Sequence, residues 1–158
     1  MWGHRNILDI LSPGDSCGEV FAASMGSVLN VSVVAEADCQ VLLLNINRIL
    51  SACSNTCSHH AQLIRNLVNV IAGKSLRMHD KINHISKRST KEKLLSYLSS
   101  EADRCGSLSF TIPYNRQQLA DYLCVERAAM SVALSQMQKD GILQYSKNKF
   151  TLFTYSSD

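Results

Sequence analysis

The chain has 158 residues, of which 46% are hydrophobic, and a formal net charge of +3. That length supports one domain or two small ones sharing a long element, and a mean hydropathy near zero excludes a disordered polyelectrolyte. No run reaches the roughly 18 apolar residues of a membrane span; with no signal-peptide run at the N-terminus, a cytoplasmic location is expected and no membrane partner.

The charge is unevenly divided. Residues 1–50 carry two basic and five acidic side chains, whereas residues 86–150 carry ten basic and six acidic. A polyanion-binding surface is therefore expected in the C-terminal half. Six cysteines, at positions 17, 39, 53, 57, 105 and 124, form no CxxC pair and are expected to be buried thiols rather than a disulfide framework.

Residues 1–52 read as a partial β-domain. Ile7–Leu11 alternates into the turn Ser12-Pro13-Gly14-Asp15, and two further strands are predicted over Val28–Ala35 and Cys39–Leu44. Residues 53–86 carry the strongest periodicity. Ile64, Val68, Ile71, Ser75, Met78, Ile82 and Ile85 are spaced 4, 3, 4, 3, 4, 3, a heptad seam with one polar interruption. A helix of about 30 residues is about 45 Å long, more than a small domain covers. The seam is therefore expected to pair with a second copy of itself in a parallel homodimer; a helix lying along its own β-domain is the alternative.

Residues 87–155 read as a compact α+β unit. Ser89-Thr90-Lys91-Glu92 is a capping box opening a helix with Leu94, Leu95 and Leu98 on one face. Ser107–Ile112 is predicted as a strand. Asn115 caps the next helix with Gln118 three residues on, Cys124-Val125 is the turn, and a second helix runs from Glu126 to about Lys139, where Gly141 stops it. A hairpin follows, Ile142–Tyr145 with Phe150–Phe153. Apolar Leu119, Leu123, Val125, Met130 and Ala133, with small Ala120 where the helices meet, fit a helix-turn-helix.

The order of a PGDxxGE turn, strands, a long seam helix, SKRSTKEKLLSYL, IPYNRQQLADYLCVERAAMSVALSQMQKDGIL and KNKFTL resembles the Crp/Fnr family of bacterial transcription regulators, of clostridial type, over residues 7–153. The resemblance implies an α+β fold: a partial cyclic-nucleotide-binding-like β-roll, a long dimerisation helix and a C-terminal winged helix-turn-helix. Because such a β-roll needs about twice the strands residues 1–50 supply, an N-terminally truncated sensor domain is expected. It also implies double-stranded DNA as partner, with RNA polymerase as a further one, and a homodimer on a palindromic site.

Carried over position by position, Arg127 reads bases, with Ser131, Glu126 and Gln136 beside it on the recognition helix 126–139. Asn115, Arg116 and Gln117 at a helix N-terminus, and Lys147 and Lys149 in the wing, are expected at phosphates. Two positions depart from the family pattern: Val132 stands where a second arginine is usual, and Ala128 where serine or glutamate is common. Gly18-Glu19 resembles the start of the nucleotide-phosphate cassette, but Leu29-Asn30 replaces its Arg-Ser pair, so cyclic AMP binding is not expected.

Cys53, Cys57 and His60, with His59 adjacent, share a helical face and open a metal- or redox-sensor reading; partly buried thiols are the plainer one, and no bound metal or cofactor is expected. No nucleophile motif is visible, so enzyme function is not expected. A further alternative is a non-catalytic dimerisation partner that titrates a full-length relative.

Overall fold

The computed structural model describes residues 6–24, 27–51 and 58–153. Its elements are α1 (Glu19–Ala23), α2 (Ile46–Leu50), α3 (Ser58–Ile85), α4 (Thr90–Cys105), β1 (Ser109–Thr111), α5 (Arg116–Leu123), α6 (Arg127–Lys139), β2 (Leu143–Ser146) and β3 (Lys149–Leu152). The chain divides into two compact units, one comprising residues 1–10 and 77–158, the other residues 11–76.

The unit containing the C-terminal part is a winged helix-turn-helix. Both predicted capping boxes form. Ser89 Oγ accepts from the Glu92 amide while the Glu92 carboxylate accepts from the Ser89 amide, and Asn115 with Gln118 does the same for α5. Leu94 and Leu98 of α4, Leu119 and Leu123 of α5, and Met130, Leu134 and Met137 of α6 are all buried in one core. Spacings of three and four put these side chains on one face of each helix. The core is closed by an antiparallel sheet of order β1-β3-β2, in which Phe110 stands opposite Phe150 and Tyr145 opposite Phe150 on its other side. Gly141, at φ +68, ends α6 in a left-handed conformation that costs glycine nothing. At the wing tip, Asn148 donates from Nδ2 to the Ile112 carbonyl at 3.1 Å, while the Ile112 amide donates to the Asn148 carbonyl at 3.0 Å.

The other unit departs from expectation. The turn Ser12–Asp15 is present, with the Asp15 carboxylate accepting from the Ser12 amide. The three predicted strands are not: among the described residues, none from 6 to 51 joins a β-ladder, and α1 and α2 are short helices packed on each other. A strand lives on cross-strand hydrogen bonds and a covered face; all three segments lack the first, and the two within 28–44 lack the second as well. Val28, Leu42 and Leu43 are 82%, 83% and 90% exposed. Ile7 and Ile10 pack instead on the winged-helix core as single side chains.

Of the cysteine expectation, free thiols rather than a disulfide framework hold for the four described cysteines, but their burial does not. Cys17, Cys39, Cys105 and Cys124 are free and exposed, because they lie in open segments, at the end of α4 and in a turn. Cys53 and Cys57 lie outside the described residues. No helix among the described residues is long and apolar enough to cross a membrane.

Candidate DNA-binding site

Helix α6 buries Met130, Leu134 and Met137 and leaves its other side open. Glu126, Arg127, Ala128, Ser131, Val132, Ser135, Gln136 and Lys139 are all exposed, so the residues expected to read bases share the open side. Several are already engaged within the chain. Ser131 Oγ donates to the Arg127 carbonyl at 2.9 Å, as helical serines do one turn back. Gln136 Nε2 donates to Asp140 Oδ1 at 2.7 Å, and Lys91 faces the other Asp140 oxygen at 3.3 Å. The hydrogen bond from Gln136, and then Lys91, holds the Asp140 carboxyl below its usual range. Ser131, Val132, Ser135, Gln136 and Lys139 line a shallow depression on this face.

The residues expected at phosphates divide. Lys147 and Lys149 of the wing are exposed, as are Asn115 and Gln117. Asn115 spends its side-chain oxygen on the α5 cap, and Gln117 donates to Asp121 at 2.8 Å. Arg116 lies differently. Its guanidinium sits over the rings of Tyr145 and Phe150, 4.6 and 5.1 Å from their centroids, and its Nη2 is buried without a hydrogen-bond partner. Burial lowers its pKa. The turn between the helices is held by Cys124 at φ +53, the left-handed conformation for which the motif ordinarily takes glycine, with the Val125 amide donating to the Ala120 carbonyl at 3.0 Å.

A cluster that no sequence pattern had indicated lies at the end of α3. Lys81 and His84 are 3% and 5% exposed. Lys81 donates to the Asn6 side chain and to the Ile7 carbonyl, and its Nζ stands 4.8 Å from the centroid of the Tyr122 ring. His84 Nδ1 pairs with Ser96 Oγ at 2.9 Å, and its ring meets Tyr97 edge-on. Tyr97 also packs on Tyr114 and Tyr122, and its hydroxyl is buried without a partner. Burial lowers the pKa of both Lys81 and His84 and raises that of all three tyrosines, Tyr122 to about 12.

In the other unit, Gly18 starts α1 at φ +80 and Glu19 is buried. Burial works to raise its pKa, but the hydrogen bond and charge of Lys74, 2.7 Å away, and a hydrogen bond from Ser16 bring it below the usual value. The carboxylate that resembles part of a nucleotide cassette is thus occupied by the chain's own ammonium. His60 Nε2 is 2.7 Å from the Ile49 carbonyl.

Two helices at a tight turn, a three-stranded sheet and a basic hairpin define a winged helix-turn-helix domain, the DNA-binding part of transcription regulators. Residues 92–153 match the Crp-like helix-turn-helix domain, and the Crp/Fnr resemblance read from the motifs stands. Among solved structures, the fold is similar to that of FixK2 from Bradyrhizobium japonicum, with TM-score 0.52 and 24% identity over 60% of this chain and 48% of that one. It is also similar to a CooA variant from Carboxydothermus hydrogenoformans, with TM-score 0.52 and 19% identity over 70% of this chain and 50% of that one. The chain thus spans about half the length of these structures. No curated protein sequence matches it.

Proposed function

We propose that this chain is a sequence-specific DNA-binding transcription regulator that acts in the cytoplasm, without catalysis, as a homodimer on a palindromic site. The observation that carries this reading is α6, which buries one side in a Crp-like domain and holds the other wholly open, with Arg127 at its start. A helix so presented fits the major groove, where an arginine there meets guanine N7 and O6. Ser131, Glu126 and Gln136 complete the base-facing set. Asn115, Arg116, Gln117, Lys147 and Lys149 contact phosphates, fixing register without reading sequence. RNA polymerase is the further partner such a regulator meets.

The dimer is supported by α3. Val68, Met78 and Ile82 are 57%, 41% and 54% exposed, and Ile64, Ile71 and Ile85 are half-buried. An apolar stripe on a 28-residue helix is costly to leave in water, and pairing with its copy removes it. Two recognition helices about 34 Å apart then meet successive half-sites on one face of the duplex.

The test is a salt-titrated binding series on a duplex selected from a random pool and on an unselected duplex, with sedimentation run alongside. Tighter binding to the selected duplex, by a dimer, with steep salt dependence supports the reading. A dimer that binds neither duplex overturns it in favour of a partner that titrates a full-length relative.

A further inference from the structure

We propose that the recognition face of α6 selects a thymine by enclosing its C5-methyl group against Val132. The inference rests on the DNA-binding reading above and adds to it the chemical class of what the face recognises. Ala128, Val132, Ser135 and Lys139 are spaced 4, 3 and 4, so they form one stripe along the exposed side, opposite Met130, Leu134 and Met137. Val132 stands in that stripe and is 70% exposed. Folding gains nothing from it there: the side chain buries little, and a β-branched residue costs an exposed helix a few tenths of a kcal/mol relative to alanine. An exposed valine in the middle of a surface built to meet the major groove has one complementary feature in that groove, the thymine methyl.

The neighbouring polar groups favour the same base pair. The single hydroxyl proton of Ser131 is committed to the Arg127 carbonyl, so Ser131 Oγ offers lone pairs outward. Gln136 has its amide nitrogen drawn to Asp140, which Lys91 holds from the other side. A methyl-lined stripe bordered by an acceptor matches a T·A pair, which shows the methyl on one base and the N6 amino donor on the other. Arg127, in the first turn of the helix, supplies the donor fork for a guanine nearer the helix start. Each half-site thus combines a guanine read by charge and a thymine read by contact.

The experiment selects the best duplex from an unmodified random pool and then replaces each thymine singly by uracil, which removes the methyl and nothing else. One thymine per half-site is expected at which uracil weakens wild-type binding about fourfold, the worth of one buried methyl. Val132→Ala is expected to bind the thymine duplex about that much more weakly and to be indifferent to the uracil replacement. Because Val132 is exposed, the variant folds as wild type, which circular dichroism verifies. If a duplex is selected and uracil is neutral at every thymine, the inference is wrong while the DNA-binding reading stands. If a 5-methylcytosine·guanine pair put in place of that thymine·adenine pair binds as tightly, the face selects a methyl group and not thymine, and the inference fails. If no duplex is enriched, the DNA-binding reading fails and takes the inference with it.

Discussion

The guanidinium carbon of Arg116 lies 4.6 Å above the centroid of the Tyr145 ring, linking the first helix of the helix-turn-helix to the first strand of the hairpin. Phe150 forms the second ring of the stack, at 5.1 Å. A planar, weakly hydrated cation suits this site, and a lysine does not reproduce it. Arg116→Ala is expected to cost about 1–2 kcal/mol in urea unfolding, with Arg116→Lys recovering less than half. If the residue also contacts phosphate, the alanine variant lowers the salt slope of DNA binding by about one unit; an unchanged slope confines it to the fold.

Cys124 occupies a left-handed backbone position, at φ +53 and ψ +51. Left-handed geometry costs a residue with a Cβ about 1–2 kcal/mol, and glycine escapes that cost while losing some in unfolded-chain entropy. Cys124→Gly is therefore expected to raise stability by up to about 1 kcal/mol, seen as a higher urea midpoint at unchanged slope. A lower midpoint would mean that the thiol, 3.7 Å from the Asn6 side-chain oxygen, contributes more than the backbone loses.

His84 makes stability depend on pH. Burial lowers its pKa from the ordinary 6.5, outweighing the opposing charges of Asp80 on α3 and Glu101 on α4, while Lys87 adds to the lowering. Ser96 and Tyr97 are its uncharged neighbours. With the folded pKa depressed, the unfolded chain takes up the proton first as pH falls. The contribution is complete above about pH 6.5 and is lost as pH drops toward and through the folded value. The urea midpoint is expected to decline from pH 7.5 to pH 5, and His84→Gln is expected to flatten that decline. An equal decline in the variant would place the effect elsewhere.

The seam of α3 is tested by charge. Aspartate at both Ile71 and Met78 would put unpaired carboxylates into a desolvated interface, at a cost of about 3–5 kcal/mol. Sedimentation at micromolar concentration is expected to show a monomer. A double variant that remains dimeric would move the dimer interface off this stripe.

The winged helix was legible because its signals are local. A serine or asparagine three residues before a glutamate or glutamine states where a helix starts whatever surrounds it, and the period of Leu94, Leu98, Leu119 and Leu123 states which side is buried. The segment 28–44 was misread because alternation tells what a strand would bury, not whether a neighbour exists to pair with it. Lys81 and His84 were missed for the opposite reason. Their burial depends on Asn6 and Ser96, residues distant in sequence whose approach no periodicity encodes. Arg116 was recognised as a cation at a helix start, but only the packed hairpin places two aromatic rings beneath it.

The division of labour on the DNA-facing surface gives the most direct test of function. Arg127 is exposed, and the other side chains on the open face of the first turns of α6 are alanine, serine and valine, so the proposed guanine recognition there rests on this one fork. Arg127→Ala is expected to cost about 1–3 kcal/mol on the selected duplex and little on random DNA. Lys149 is exposed on the wing and is proposed to contact phosphate. Its alanine variant is expected to weaken both duplexes alike and to lower the salt slope by about one unit. Val132→Arg is expected to tighten binding to random DNA by adding a cation, and to erase the preference for the selected thymine. Anisotropy titrations of the three variants at several salt concentrations separate these outcomes. Equal losses on both duplexes for Arg127→Ala would make that residue a phosphate contact, and the proposed guanine recognition at the start of the recognition helix would be lost.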